Sequence, residues 1–170
     1  MEGITLIGMP GSGKSVIGKQ LAHHLGWDFV DLDILIKEKE GKSHAEIMKE
    51  KGEHELLQLE ELYTLGLDFN LPTGGLVFSP GGSIIYSRRA MEKLKSETKI
   101  IYLDLPYEEI KSRLGNNLEN RGIIGLTLRG LGSLYQERTP IYQKFAHHII
   151  PCIDQNEKEV VDKISNLLFV

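Results

Sequence analysis

The stretch "GMPGSGKS", residues 8–15, decides how the rest of the chain is read. Gly8, Gly13, Lys14 and Ser15 meet the spacing Gly-x-x-x-x-Gly-Lys-Ser without a gap. The stretch follows "GITLIG" (3–8), an apolar run that reads as a buried strand. It precedes Lys14 to Leu25, where Val16, Ile17, Leu21 and Leu25 recur at helical spacing. Strand, glycine loop and helix is the setting in which backbone amides and a helix N-terminus converge on phosphate oxygens. Gly8, Gly11 and Gly13 allow turns that a Cβ would obstruct. Ser12 and Val16 are counted with the loop as nucleotide-binding positions. Lys14 would reach the β- and γ-phosphates, and the Ser15 hydroxyl would ligate Mg²⁺. The stretch implies a bound nucleoside triphosphate.

Outside this loop, short apolar strands alternate with helical stretches. "WDFVDLD" (27–33), "GLVFS" (75–79), "KIIYLDL" (99–105) and "HHIIPC" read as further strands. Ser43 with Glu46 forms a capping box before "HAEIMKEKG", and Ser87 caps "RRAMEKLKSE". "EHELLQLEELYTLGL" (53–67) is helical by period, and Pro106 suits the first turn of "PYEEIKSRL". "LRGLGSLYQERTPIYQKF" is helical with a kink or break expected at Pro140. "GNNLENRGIIGLT" (115–127) is rich in Gly and Asn and has no period, so it is expected to be a mobile lid. Alternation of this kind predicts a mostly parallel sheet covered on both faces. With 170 residues and neither repeat nor linker, residues 1–170 are read as one domain.

The formal net charge of −4 argues against a general nucleic-acid binder but not against a nucleotide held by a few local cations. A lone Cys152 forms no intrachain disulfide. No basic start followed by a long apolar run marks a leader or membrane span, so the expectation is a cytoplasmic protein, and a monomer.

A phosphate cradle does not say what is done with the phosphate. No Asn-Lys-x-Asp segment is present for reading guanine. Asp31 and Asp33 say more. As i and i+2 near the end of the second strand, they would share one face and point into the crevice beyond the strand ends. One would support Mg²⁺ and the other would accept a hydrogen bond from a substrate hydroxyl; alternatively, Asp33 caps the next helix.

"LIGMPGSGKSVIGKQLAHHLGWDFVDLDILI" resembles the opening of shikimate kinases, and the likeness continues through "GKSHAEIMKEKGEHELLQLEE", "FSPGGSII", the segment at Arg121 and "ERTPIYQKFA". The resemblance implies a P-loop, nucleoside-monophosphate-kinase-like fold, with a five-stranded parallel sheet flanked by helices and a lid. It also implies ATP, Mg²⁺ and a small hydroxylated acid as acceptor. On the matching positions, Lys14 and Ser15 are cradle residues and Asp31 is the magnesium-side aspartate. The resemblance implies that Asp33 contacts substrate hydroxyls and is the candidate base. Gly81 and Gly82 approach the substrate, Arg121 is the lid arginine at the transferring phosphate, Arg138 binds the substrate carboxylate, and Arg113 stands near adenine. Related kinases acting on a sugar, sugar acid or polyol share this pattern, and a non-catalytic ATP-binding module is the reading from another class.

Three positions depart from the family pattern. Leu57 stands where the family has a second carboxylate-binding arginine, Ser83 replaces the third glycine of a triplet, and Gly122 replaces a proline in the lid. Leu57 is expected to give the acceptor crevice an apolar wall, unless Arg88 or Arg89 supplies a cation there. The paired histidines 23–24 and 147–148 are read as solvated or packed, and the charged stretch 49–61 as a solvated helix face.

Overall fold

In a computed structural model, described for residues 3–72, 74–116, 118 and 121–168, the apolar run Gly3–Ile7 forms β1 with all five residues buried. Helix α1 covers Lys14–Leu25, β2 Asp28–Asp31, α2 Leu32–Glu40, α3 His44–Lys51 and α4 Glu53–Leu65. Then come β3 (Leu76–Ser79), a 3₁₀ turn (Ile84–Tyr86), α5 (Arg88–Glu97) and β4 (Thr98–Asp104). Helix α6 (Tyr107–Leu114), α7 (Leu126–Phe145), β5 (His148–Pro151) and α8 (Glu157–Leu168) complete the order. The strands pair in parallel as β2-β3-β1-β4-β5, with Thr5 opposite both Phe78 and Ile100. The central strand must therefore be apolar on both faces, as Ile4, Leu6 and Ile7 are. No helix among the described residues is long and apolar enough to cross a membrane.

Because β1 lies in the middle, its C-terminal end opens at the centre of the sheet edge, and the glycine loop sits there. The strand order reverses beside it, between β3 and β4, which makes this edge the natural place for a ligand.

Two sequence expectations change. The second strand ends at Asp31, not Asp33. The Asp31 side chain accepts from the Asp33 and Ile34 amides at 3.0 and 3.3 Å, so it caps α2 and draws Asp33 into the helix's first turn. The expected break at Pro140 is absent, and α7 instead breaks at Gly130 (φ 73°, ψ 160°). Pro140 and Gln136, whose carbonyl loses its usual partner, are both exposed, so water can satisfy that carbonyl and the helix runs on. Of the stretch 115–127, residues 117, 119 and 120 lie outside the described residues.

Both caps read from the sequence are present. The Ser87 hydroxyl accepts from the Ala90 amide at 3.1 Å, and Ser43 and Glu46 form the reciprocal box that starts α3. Ser43→Ala removes one half of that box and is expected to cost about 1 kcal/mol in urea unfolding, with an unchanged m value.

Candidate active site

The loop between β1 and α1 turns on Gly13, whose φ of 94° is strained for any residue with a Cβ. That turn aims the first amides of α1 into a cavity of about 680 Å³. The Lys14 Nζ folds over the loop and donates to the carbonyls of Gly8 and Met9, each at 2.9 Å. Burial pushes this ammonium down to about 8, opposed by the charges of Asp33 and Asp31 and reinforced by Arg138. The Ser12 hydroxyl is buried here without a hydrogen-bond partner among the described residues. A phosphate oxygen would supply one.

Ser15 donates its hydroxyl to Asp31 Oδ2, which ties the start of α1 to the end of β2. These are two adjacent hard oxygen donors at the mouth of the cradle. That set suits Mg²⁺, which keeps several waters and takes its remaining ligands from phosphates. Asp33, two residues on, has a side chain 58% exposed, facing the cavity. Desolvation by the surrounding walls raises its carboxyl above the usual range; His44 and Lys14 oppose the rise and Asp31 adds to it.

The acceptor end is floored by the turn after β3. A Cβ on Gly82 would lie 2.9 Å from Arg138 Nη1, 3.0 Å from Pro10 Cδ and 3.0 Å from the Tyr142 hydroxyl, so only glycine fits. Tyr142 donates to the Gly82 carbonyl at 2.6 Å and stacks on Tyr102. Arg138 is 1% exposed; its Nη2 donates to the Ile124 carbonyl at 2.8 Å and its Nε to Tyr86 at 3.3 Å.

The structure thus brings Gly11, Ser12, Gly13, Lys14, Ser15, Val16 and Arg113 to one end of a single cavity. Asp31, Asp33, Gly81, Gly82, Arg121 and Arg138 line the same cavity. Gly8 contributes through its carbonyl. Arg113 sits beside the loop, its Nη1 3.8 Å from the Cβ position of Gly13, while its Nε pairs with Glu109.

Leu57 is placed differently from the sequence expectation. It packs half-buried against the core and is not among the residues lining the cavity. Neither Arg88 nor Arg89 replaces it, since both are exposed and pair with Glu92 and Glu61. The residue of α4 that does reach the cavity is Glu60, placed by the sequence on a solvated helix face. It is 2% exposed, and Ser83 donates to both of its oxygens at 2.9 and 2.7 Å. Its signal was present in the sequence: Glu60 lies four residues after Leu56 and four before Thr64, on the buried stripe of α4. His44, also missed, lines the same cavity.

A family model for shikimate kinase matches residues 10–169. The chain is 36% identical over 163 residues to a shikimate kinase of Clostridium botulinum (strain Langeland), covering 95% of this chain and 93% of that one. It is 32% identical over 164 residues to one of Sulfurihydrogenibium sp., covering 96% of each. The chain belongs to the shikimate kinase family. It is accordingly a P-loop kinase that uses ATP and phosphorylates a hydroxyl of a small molecule. Among solved structures, shikimate kinase from Acinetobacter baumannii in complex with shikimate superposes with a TM-score of 0.89 at 27% identity, covering 99% of this chain and 93% of that one. The enzyme from Aquifex aeolicus gives 0.83 at 30%, covering 98% and 96%.

Burial pushes the Glu60 carboxyl up to about 7; Ser83 and Arg138 oppose the rise and Asp33 adds to it. An acid with a raised folded-state pKa holds its proton in the folded protein after losing it in the unfolded chain. Stability therefore falls as pH rises from about 4.5 to about 7, by at most roughly 3 kcal/mol, and is flat above. Glu60→Gln keeps a carbonyl for Ser83 and is expected to abolish this fall in unfolding measurements across that window.

Proposed function

We propose that this chain, acting as a single domain over residues 1–170, transfers the γ-phosphate of ATP to a hydroxyl of shikimate. The observation that supports this reading is one continuous cavity with a phosphate cradle at one end and Asp33, Gly82 and Arg138 at the other. Amides of residues 11–16 and the Lys14 ammonium hold the phosphates, and Arg113 flanks the nucleotide. Ser15 and Asp31 would hold Mg²⁺, which would supply positive charge to offset that of the phosphate oxygens. Asp33 accepts the hydrogen bond of the reacting hydroxyl and orients it in line with the γ-phosphate. Arg121 offsets charge developing on the transferring group, and Arg138 takes the acceptor's carboxylate while Gly81 and Gly82 admit its ring. The segment that carries Arg121 and Gly122 forms the lid that excludes water during transfer.

Lys14→Met is expected to cut turnover more than tenfold, a loss above about 1.4 kcal/mol, while the thermal transition stays in place. Retention of more than a tenth of wild-type turnover would show that the cradle has been misassigned.

Arg138→Ala removes a charged hydrogen bond of ~1.5–3 kcal/mol and is expected to raise the KM for shikimate roughly 10- to 150-fold, with little change for ATP. The same assay decides a second reading. Leu57 stands outside the cavity and brings no second cation to the acceptor end, which favours a less charged hydroxylated acceptor. ADP release driven by a neutral polyol and not by shikimate would establish that reading.

A further inference from the structure

His44 is the first residue of α3, 8% exposed, and lines the cavity. Its Nδ1 lies 3.6 Å from Asp33 Oδ1, and its Nε2 has no hydrogen-bond partner among the described residues. The ring has little freedom. The capping box of Ser43 and Glu46 fixes the turn that carries it. From the lid side, Gly122 (φ 62°) lies so close that a Cβ there would stand 2.6 Å from His44 Cβ and 2.5 Å from the Ala45 amide nitrogen.

Burying an imidazole with one nitrogen unpartnered costs stability, whereas an apolar side chain of that volume would not. A polar ring kept in such a place reports a task. The Asp33 carboxylate shows the matching need. It stands open to the cavity and accepts no hydrogen bond among the described residues; His44 is the side chain paired with it, while Lys14 and Asp31 act on it by charge alone. A closure of about half an ångström brings the pair into hydrogen-bond distance.

We propose that His44 is a positioning residue for phosphoryl transfer, its Nδ1–H holding the Asp33 carboxylate on the acceptor hydroxyl while the lid residue Gly122 seats the ring from above. The proposal rests on the reading of Asp33 as the residue that engages the acceptor hydroxyl. It assigns His44 no contact with the phosphate and no proton transfer of its own. Because a carboxylate misaligned by an ångström loses most of its catalytic benefit, the effect falls on kcat rather than on nucleotide binding.

Two measurements test it. In side-chain ¹⁵N NMR of the free protein, His44 Nδ1 is expected to carry a proton in wild type and to lose it in Asp33→Ala. An unprotonated Nδ1 in wild type, or one indifferent to Asp33→Ala, overturns the proposal. In steady-state kinetics with ATP and shikimate, His44→Ile is expected to lower kcat about tenfold with the KM for ATP within about twofold. His44→Asn, whose amide N–H stands near the place of Nδ1, is expected to keep at least about a third of wild-type kcat. Equal kcat in wild type and His44→Ile, or an Asn variant as slow as the Ile variant, overturns it as well. The ring signal needs no turnover, so a wild-type protein inactive on shikimate defeats the proposed acceptor while the His44–Asp33 contact is still decided by NMR.

Discussion

The carboxylate of Asp31 holds the two halves of the site in register. One oxygen accepts the Ser15 hydroxyl at the start of α1, and the other accepts the Asp33 and Ile34 amides at the start of α2. A single side chain at the end of β2 therefore joins the phosphate cradle to the helix that carries the acceptor-facing aspartate. Both contacts are hydrogen bonds to a charged acceptor, stronger than neutral ones and fixed in direction. The helix N-terminus adds a favourable field for the negative charge. The rest of the cavity is built around this joint. Asp33 can open into the cavity because Asp31 has taken over the capping that Asp33 would otherwise have done.

This joint also shows what a sequence reveals and what it hides. The cradle was legible because its chemistry depends on residues adjacent in the chain, and "GMPGSGKS" places the glycines, the lysine and the serine without help from the fold. The alternation of strands and helices gave the parallel sheet for the same reason. Asp31 and Asp33 were recognised as a pair, but strand periodicity put them on one strand face. Capping is a competition between backbone donors and a nearby side chain, and it ended β2 two residues early. In α7 the expected break at proline is absent, because an exposed proline leaves a carbonyl that water can satisfy, and the helix breaks instead at Gly130, whose φ of 73° favours glycine.

Burial of charged residues was the least legible feature. Glu60 sits in a run of charges that reads as a wet face, yet the helix turns it inward beside Leu56 and Leu59. Leu57, one residue past Leu56, turns toward the core edge and leaves the cavity to Glu60. A 100° rotation per residue makes such neighbours face different surroundings, and only the packing of α4 against α2, α3 and α5 decides which side is inside. His44 was hidden for a related reason. Its neighbours Asp33 and Gly122 are brought to it by α2 and by the lid, from 11 residues before it and 78 after.

Glu60, Ser83 and Arg138 then set the electrostatic character of the acceptor end together. A buried carboxylate answered by a hydroxyl, not by a cation, has no full charge to balance its own, so burial dominates and its proton is held to about pH 7. Near neutrality the pair therefore presents only part of a negative charge to the cavity. Arg138 keeps its positive charge because a guanidinium does not deprotonate in proteins, and its hydrogen-bond acceptors, the Ile124 carbonyl and the Tyr86 hydroxyl, are neutral and leave that charge uncancelled. Ser83 in place of a glycine makes this arrangement possible by giving Glu60 a donor that costs no second charge in the interior. Arg138 consequently stands as the cation beside the Gly82 turn whose charge no acidic side chain cancels by direct contact among the described residues. An anionic group on an acceptor placed over that turn would meet an arginine whose orientation Ile124 and Tyr86 already fix.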